Sequence, residues 1–279
     1  DTGGQLTTLT QSLFTGEHLK NVEIEAYRAT GSGKAMLVDE FKFNDVLLTR
    51  LDGGNGAGDN TLGFDFGSFT HGHVEQSKSG GIGDITTTGW DFKTSQELSG
   101  PQPQADGTKI QDLDQVAPDS MEYYVRFDGA EGWLQVSGFS FGFENTGSFG
   151  SGGGGGGAGK AGKEDVGLTL GASGELLALT LALASGEHIK NVEIEAYRAS
   201  LVGKEQLVDE FRFNDVIITK LDTVNGTANE LAFDFGSFTH AHIEQTSSGA
   251  TGSTTDSGWD FQANTHEAVP APHADVLFG

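Results

Sequence analysis

The sequence predicts an all-β protein that contains two related barrel-like repeats, each with one short helix. Residues 17–29 return almost unchanged as residues 187–199, and residues 37–46 return as residues 207–216 at the same offset. Inside these stretches apolar and polar residues alternate with a period of two, which indicates half-buried strands. The leucine-rich segments that precede them have helical spacing instead. Duplication of one β-rich unit therefore accounts for most of the chain.

Each repeat is predicted to start its shared part with a helix. Leucines recur at helical spacing, and a glycine follows in each case, where a left-handed residue commonly ends a helix. The positions are Leu6, Leu9, Leu13 and Gly16 in the first repeat, and Leu176, Leu179, Leu183 and Gly186 in the second. The apolar faces predict helices that pack against a sheet.

Strands are predicted after each helix. In the first repeat, residues 22–27 alternate regularly, and residues 38–51 do so on either side of Asn44 and Asp45, where the interruption predicts a bulge or a change of sheet. Residues 62–76 predict one strand or a strand pair. We expect the polar segment after Gln76 to form a loop, and the Gly-Trp-Asp-Phe motif at residues 89–92 to form a short closing strand.

The two repeats are unequal in length. Residues 121–128 and 132–143 predict a β-hairpin in the second repeat, and the first repeat begins only at the counterpart of residue 171. The first repeat therefore lacks this hairpin. Three explanations remain open: a hairpin that once preceded Asp1, strands supplied by another subunit, or a reduced domain. The predicted organisation is an incomplete barrel at 1–98, a linker at 99–118, a complete barrel at 119–265 and a tail at 266–279.

The composition limits the possible partners. With 40 acidic and 16 basic residues, the formal net charge is −24, which opposes binding to nucleic acid and to anionic lipid. No cysteine is present, so thiolate metal sites and disulfides are excluded. The longest apolar run, residues 176–184, is far shorter than the roughly 20 residues that span a bilayer. We expect neither nucleic acid binding nor membrane insertion, and we find no signal peptide at Asp1.

The order of motifs in the second repeat resembles a known family. The opening strands are Tyr-Val-Arg-Phe-Asp-Gly at 124–129 and Val-Ser-Gly-Phe-Ser-Phe-Gly at 136–142, and a glycine tract precedes Lys160. The later motifs lie at residues 186–192, 209–216, 233–236 and 258–261. This order is similar to that of the Hcp (hemolysin-coregulated protein) family, the tube proteins of type VI secretion. The resemblance implies a β-barrel of two packed sheets with one flanking helix, assembled into six-membered rings that stack into a hollow tube.

The function predicted from this resemblance is structural. Three two-repeat chains would form a pseudo-hexameric ring that stacks into a tube or filament, secreted by a bacterium, with sheath, spike or effector proteins as further partners. The first alternative is an extracellular filament or surface fibre whose subunits exchange strands, and the second is a carrier or adhesin-type binding module that does not polymerise. We predict no enzyme and no cofactor, because we find no Ser-His-Asp order, phosphate-binding loop or cofactor fingerprint.

Two sets of residues are candidate sites. His71 and His73, like His240 and His242, lie two residues apart on a strand and near a glutamate, a pattern that either ligates a transition metal or forms a solvated strand face. The acidic surface favours the second interpretation. Assembly contacts are predicted in the glycine-rich loop and in the C-terminal tail, at Gly150, Gly152, Gly157, Val276, Leu277 and Phe278.

Overall fold

The computed structural model describes most of both repeats. The described residues are 3–29, 35–54, 61–76, 82–99, 121–130, 132–147, 159–171, 175–199, 205–224, 228–245 and 251–272. They contain two helices, and their fifteen strands are joined by hydrogen bonds into one continuous sheet. The predicted class, all-β with short flanking helices, is confirmed. No helix among these residues is long and apolar enough to cross a membrane.

Helix and strand bounds agree with the repeat. The first repeat contains α1 (Gly3–Thr15), β1 (Leu19–Ala29), β2 (Ala35–Gly54), β3 (Thr61–Gln76), β4 (Ile82–Asp91) and β5 (Gln96–Glu97). The second repeat contains β6 (Met121–Phe127), β7 (Leu134–Asn145), β8 (Ala161–Lys163), β9 (Val166–Gly171), α2 (Glu175–Ser185), β10 (His188–Ala199), β11 (Glu205–Val224), β12 (Ala228–Asp234), β13 (Ser237–Gln245), β14 (Thr251–Asp260) and β15 (Thr265–His266).

Both predicted helix ends are confirmed. Gly16 and Gly186, with φ of 64° and 66°, adopt the left-handed conformation directly after α1 and α2. In this region a side chain collides with its own backbone, so glycine ends the helix at little cost. One prediction was wrong in extent. The polar segment before Gly89 was expected to be a loop, but residues 82–88 belong to β4, because β3 supplies a full ladder of backbone partners for them.

The predicted interruption at Asn44 and Asp45 is a local kink, where Asp45 is left out of both ladders of β2 while the register on either side is unchanged. At the same point in the second repeat, β11 changes its partner from β13 to β12. Asp45 and its counterpart Asp215 both have φ of 54°, an unusual value for a residue with a side chain. His18 Nδ1 lies 2.8 Å from Asp45 Oδ1, and His188 Nδ1 lies 2.7 Å from Asp215 Oδ1. In each repeat, the start of one strand is thus hydrogen bonded to the kink in the next.

The second repeat closes into a barrel. Its six strands pair in the order β11, β12, β9, β7, β6, β10 and back to β11, and every pairing is antiparallel. The N-terminal half of β11 also pairs with β13, which continues to β14 and β15 as a second layer. The aromatic interior of this barrel is fully buried, including Phe213, Phe233 and Phe235.

The first repeat remains open. It contains counterparts of β10, β11, β12 to β13 and β14, but it has no counterpart of the hairpin β6 to β7 or of β9 among the residues described. Phe43, Phe64 and Phe66, which correspond to the buried phenylalanines of the second repeat, are only partly buried. The end of β2 pairs instead with β7 of the second repeat, from Arg50 with Glu144 to Gly54 with Ser140. One hairpin therefore serves a complete barrel and the edge of an incomplete one.

Candidate functional site

A carboxylate joins the two histidines that the sequence places on one strand. In the second repeat, His240 Nε2 lies 2.9 Å and His242 Nδ1 lies 2.8 Å from the same oxygen, Asp209 Oδ1. The aspartate comes from β11 and the histidines from β13, which pair directly at this point. The ring of His240 also stacks on Phe211, with 4.2 Å between the ring centroids. We call this group the buried His-Asp-His cluster.

The first repeat repeats this arrangement near the surface. Asp39 Oδ1 lies 2.9 Å from His71 Nε2 and 2.7 Å from His73 Nδ1, and His71 stacks on Phe41 at 4.1 Å. All three polar side chains are partly exposed. In the second repeat the two histidines are buried and Asp209 is only 15% exposed. We call this group the open His-Asp-His cluster.

The pKa of each aspartate reflects these bonds. Burial by itself would raise the pKa of Asp209, but hydrogen bonds and positive charge from His240 and His242 hold it well below its usual range. Hydrogen bonds from His71 and His73 likewise lower the pKa of Asp39. Burial, followed by the charge of Asp209, raises the pKa of the nearby phenol of Tyr123 to about 12. The carboxyl group of Asp209 is therefore ionised in the buried His-Asp-His cluster at neutral pH.

Metal binding at the two histidine pairs, the less favoured interpretation of their spacing, remains a hypothesis. One imidazole nitrogen of each of His71, His73, His240 and His242 is hydrogen bonded to a carboxylate, so a metal ion would have to bind the other ring nitrogen or displace that bond. The sequence places a glutamate near each histidine pair but does not identify Asp39 and Asp209 as the partners of the histidines. The signal that finds the aspartates is the shared offset of the Asp-Glu-Phe motif and the histidine pair in both repeats.

Two further clusters were missed by sequence analysis. Glu193, Glu195 and Glu210 bring one carboxylate oxygen each within 4.8 Å of the others, and Glu23, Glu25 and Glu40 do the same in the first repeat. Such concentrations of negative charge need cations close by. The alternation of the strands places these glutamates on one face, but only the pairing of β10 with β11 shows that they meet.

The cations differ between the two glutamate clusters. In the second repeat, Arg126 lies 2.6 Å from Glu193, and Arg212 lies 2.5 Å from Glu210 and 3.0 Å from Glu193. In the first repeat, Lys42 lies 2.7 Å from Glu40 and 3.5 Å from Glu23. Arg126 belongs to β6, which has no counterpart among the described residues of the first repeat.

A polar cleft of about 510 Å³ opens beside the second glutamate cluster. It lies between β6, β10 and β11, and residues 267–270 of the segment after β15 form its outer wall. Its two arginines, Arg126 and Arg212, are both paired with Glu193. The cleft therefore presents little net positive charge to an anionic ligand.

A catalytic triad is not formed at the buried His-Asp-His cluster. Ser257 lies directly across from His240 in the strand ladder, which would suit a nucleophile beside a base. Its Oγ is buried, however, and makes no hydrogen bond to the imidazole within the described structure. The hydroxyl is therefore neither activated by the histidine nor accessible to a substrate.

Helix α1 links the two repeats. Although it belongs to the first repeat, it packs mainly on β13 and β14 of the second. Phe14 lies among four aromatic rings of the second repeat, and Thr7 Oγ1 donates a hydrogen bond of 3.1 Å to Thr255 Oγ1. The side-chain amide of Asn145 in β7 also donates a hydrogen bond to the backbone carbonyl oxygen of Leu13 in α1. Sequence analysis predicted the helix but not this contact.

The predicted assembly residues lie outside the described part of the chain. These are Gly150, Gly152 and Gly157 in the glycine-rich loop and Val276, Leu277 and Phe278 in the tail. Their role in assembly remains a prediction.

Comparison with known proteins supports the predicted resemblance. Residues 125–247 match the family described as "Type VI secretion system effector, Hcp". No curated protein matches the chain. The sequence match covers most of the closed barrel and lies entirely within the second repeat.

Several solved structures are also similar to part of the chain. One, described as "Structure of a type six secretion system protein", is 20% identical and has a TM-score of 0.49, over 53% of this chain and 100% of its own. Hcp1 from Salmonella typhimurium is 15% identical with a TM-score of 0.42, over 53% of this chain and 99% of its own. The secreted protein Hcp3 from Pseudomonas aeruginosa is 19% identical with a TM-score of 0.34, over 50% and 99%.

All three TM-scores are below 0.5, so the resemblance depends on the sequence match. That match includes the end of the opening strand, the strands around α2 and the phenylalanine-rich strands of the barrel. The predicted resemblance to the Hcp family, the family of type VI secretion tube proteins, is confirmed over residues 125–247.

Proposed function

We propose that this chain is a structural subunit that assembles into rings, which stack into a tube or filament. The observation that carries the proposal is the match of residues 125–247 to the Hcp family, on a barrel that is closed in the structure. The first repeat supplies a second set of related strands, so three chains would present six repeats around a ring. The subunit would be secreted from a bacterium, with sheath, spike or effector proteins as partners.

A non-catalytic role agrees with the two His-Asp-His clusters. In each cluster the histidine nitrogens and the carboxylate oxygen contact one another. The histidines of the buried His-Asp-His cluster are also shielded from any substrate. We propose that these clusters hold β11 to β13, and β2 to β3, as structural ties in the assembled subunit.

Electron microscopy of the purified chain tests the proposal. We expect rings with three-fold symmetry in negative stain, and stacks of rings at higher protein concentration. Analytical ultracentrifugation should show a species of three chains. A chain that remains monomeric at micromolar concentration, with no rings or filaments in the images, would rule out the ring.

Deletion of residues 150–157 is expected to shorten the stacks and leave the barrel folded. This segment is almost entirely glycine, so its loss removes few side chains from the core, while it removes the backbone surface that we assign to stacking. Stack length in micrographs and the circular dichroism spectrum measure the two effects. A deletion of equal length in the predicted linker, residues 104–111, is the control. Stacks of equal length in both deletion variants would contradict the role of the loop.

The open edge of β1 favours a second candidate, a filament joined by donated strands. In the second repeat β10 pairs with β11 on one side and β6 on the other, whereas within the described ranges β1 pairs only with β2. Ile24 is consequently 47% exposed, and its counterpart Ile194 is 0% exposed. An uncovered strand edge is a template for another strand. β1 supplies such an edge, and a neighbour's C-terminal tail is the donor that we propose.

Removal of residues 275–279 should abolish such a filament. The deletion takes away Val276, Leu277 and Phe278, the apolar residues that would cover Ile24 and its neighbours on β1. A synthetic peptide of residues 269–279 should bind the truncated chain, whereas a peptide with serine at those three positions should not. Isothermal titration calorimetry measures both. Equal binding of the two peptides, or filaments formed by the truncated chain, would exclude strand donation by the tail.

A further inference from the structure

Helix α2 exposes an apolar face that its counterpart α1 buries. Thr7, Thr10 and Phe14 of α1 are buried against the second repeat. The face of α2 that corresponds to them carries Leu177, which is 79% exposed, and Leu181, which is 67% exposed. A helix that is apolar all round is normally covered all round, but α2 packs only its opposite face on its own barrel.

The surface that receives α1 exists twice, and only one of the two is covered. In the second repeat, the Gly-Trp-Asp-Phe motif holds Trp259 and Phe261, which are 6% and 7% exposed beneath α1. The same motif in the first repeat holds Trp90 and Phe92, which are 39% and 48% exposed. The difference follows from the position of α1, since no helix lies over β4 in the described structure.

We propose that α2 of one chain packs on the Trp90 and Phe92 surface of a second copy of this chain. The contact would repeat, between chains, the contact that α1 makes within the chain. The described part of each chain presents both the exposed face of α2 and the exposed Trp90 and Phe92 surface, so one chain can donate the helix and accept a neighbour's. Because the two surfaces differ, the contact is heterologous and generates a ring if the rotation closes and a filament if it does not. This inference rests on the proposed function, and it supplies the lateral contact of the ring.

The side chains of the two helices differ in a way that matches the different depths of the two aromatic surfaces. Phe14 of α1 enters a deep aromatic site that includes Phe143 of β7, at 4.8 Å between ring centroids. The first repeat has no counterpart of β7, so its site is shallower, and α2 has the small Ala184 in place of Phe14. Apolar bulk lies instead at Leu177 and Leu181, where α1 has Thr7 and Gln11. These leucines would spread over the exposed faces of Trp90 and Phe92.

Cysteine pairs test the register of this contact, because the chain has no cysteine of its own. Thr7 meets Thr255 within the chain, and the corresponding residues are Leu177 and Thr86. Oxidation of the variant Leu177→Cys with Thr86→Cys should therefore give a ladder of covalent multimers on a non-reducing gel. The pair Thr7→Cys with Thr255→Cys should close within the chain and remain monomeric on the same gel. The pair Ala178→Cys with Thr86→Cys, at another exposed position of α2, should give no ladder.

Charge on the exposed face provides an independent measurement. The variant Leu177→Asp with Leu181→Asp should weaken association by about tenfold or more in sedimentation equilibrium, because it places two carboxylates in an apolar contact. Its melting temperature as a monomer should be close to that of the unaltered chain, since both leucines are mostly exposed.

The outcomes separate this inference from the ring itself. Rings without a Leu177 to Thr86 ladder, or rings that survive the double aspartate variant, would overturn the helix contact and leave the ring intact. An unaltered chain that never associates would overturn both. A ladder together with weakened association in the aspartate variant would establish the contact.

Discussion

Replacement of Phe14 by alanine is expected to lower the free energy of unfolding by about 3–5 kcal/mol, the usual cost of deleting a buried phenylalanine ring. The ring is almost completely buried, with centroid distances of 4.8 Å to Phe143, 5.5 Å to Phe261 and 5.6 Å to Trp259. Its loss leaves a cavity at the contact between α1 and the second repeat, and neighbouring rings fill such a cavity only in part.

Urea denaturation followed by tryptophan fluorescence measures this effect, at a protein concentration where the chain is monomeric. Phe92→Ala is the matched control, because Phe92 occupies a corresponding aromatic surface but is 48% exposed. We expect the Phe92→Ala substitution to lower the free energy of unfolding by less than about 1 kcal/mol. Similar losses in both variants would show that α1 does not bury Phe14 as described.

Replacement of Asp209 by alanine is expected to lower the free energy of unfolding by about 3–5 kcal/mol, the range found when one partner of a buried ion pair is removed. The substitution leaves His240 and His242 buried without their shared acceptor. Asp39→Ala makes the same change at the open cluster, where water reaches all three side chains, and should cost about 1 kcal/mol or less. Equal costs at the two positions would contradict the difference in burial between the repeats.

The effect of Asp209 should disappear in acid. Its pKa in the folded protein lies below the unfolded value of 3.8, so its contribution to stability is present above about pH 4 and is lost as the pH falls further. The stabilities of the unaltered chain and of Asp209→Ala should therefore converge below about pH 4. Denaturation curves at a series of pH values measure this convergence. A difference that stays constant into strong acid would show that the carboxylate is not ionised in the folded state.

Much of the local structure was predictable because it depends on short-range patterns. Alternation around Ile24 and Ile194 predicts two strands, and Gly16 and Gly186 predict the ends of two helices. The kinks at Asp45 and Asp215 are marked by an interruption of the same alternation. The extent of β4 was not predictable, because its polar residues are ordered by hydrogen bonds to β3 rather than by their own propensity.

The polar clusters were predictable only in part. A spacing of two places His240 and His242 on one strand face, but nothing in that spacing identifies Asp209, more than thirty residues earlier, as their common partner. The glutamate clusters were unpredictable for the same reason. Their members come from adjacent strands, and the pairing register of those strands cannot be deduced from the spacing within one strand. Pairing across strands is a long-range property, and a periodic pattern specifies only which face a residue occupies.

By itself the sequence determined the duplication, the β-rich class and the resemblance to the Hcp family. Only the tertiary structure decided that β2 joins β7 and that α1 covers the aromatic motif of the other repeat, so that α2 and the Trp90 surface remain uncovered. The physical reason is that the two repeats have nearly the same local sequence patterns, which specify the same helix and strands in each. Which helix packs on which repeat depends on contacts between residues that are far apart in the sequence, such as those of β7 with β2 and with α1.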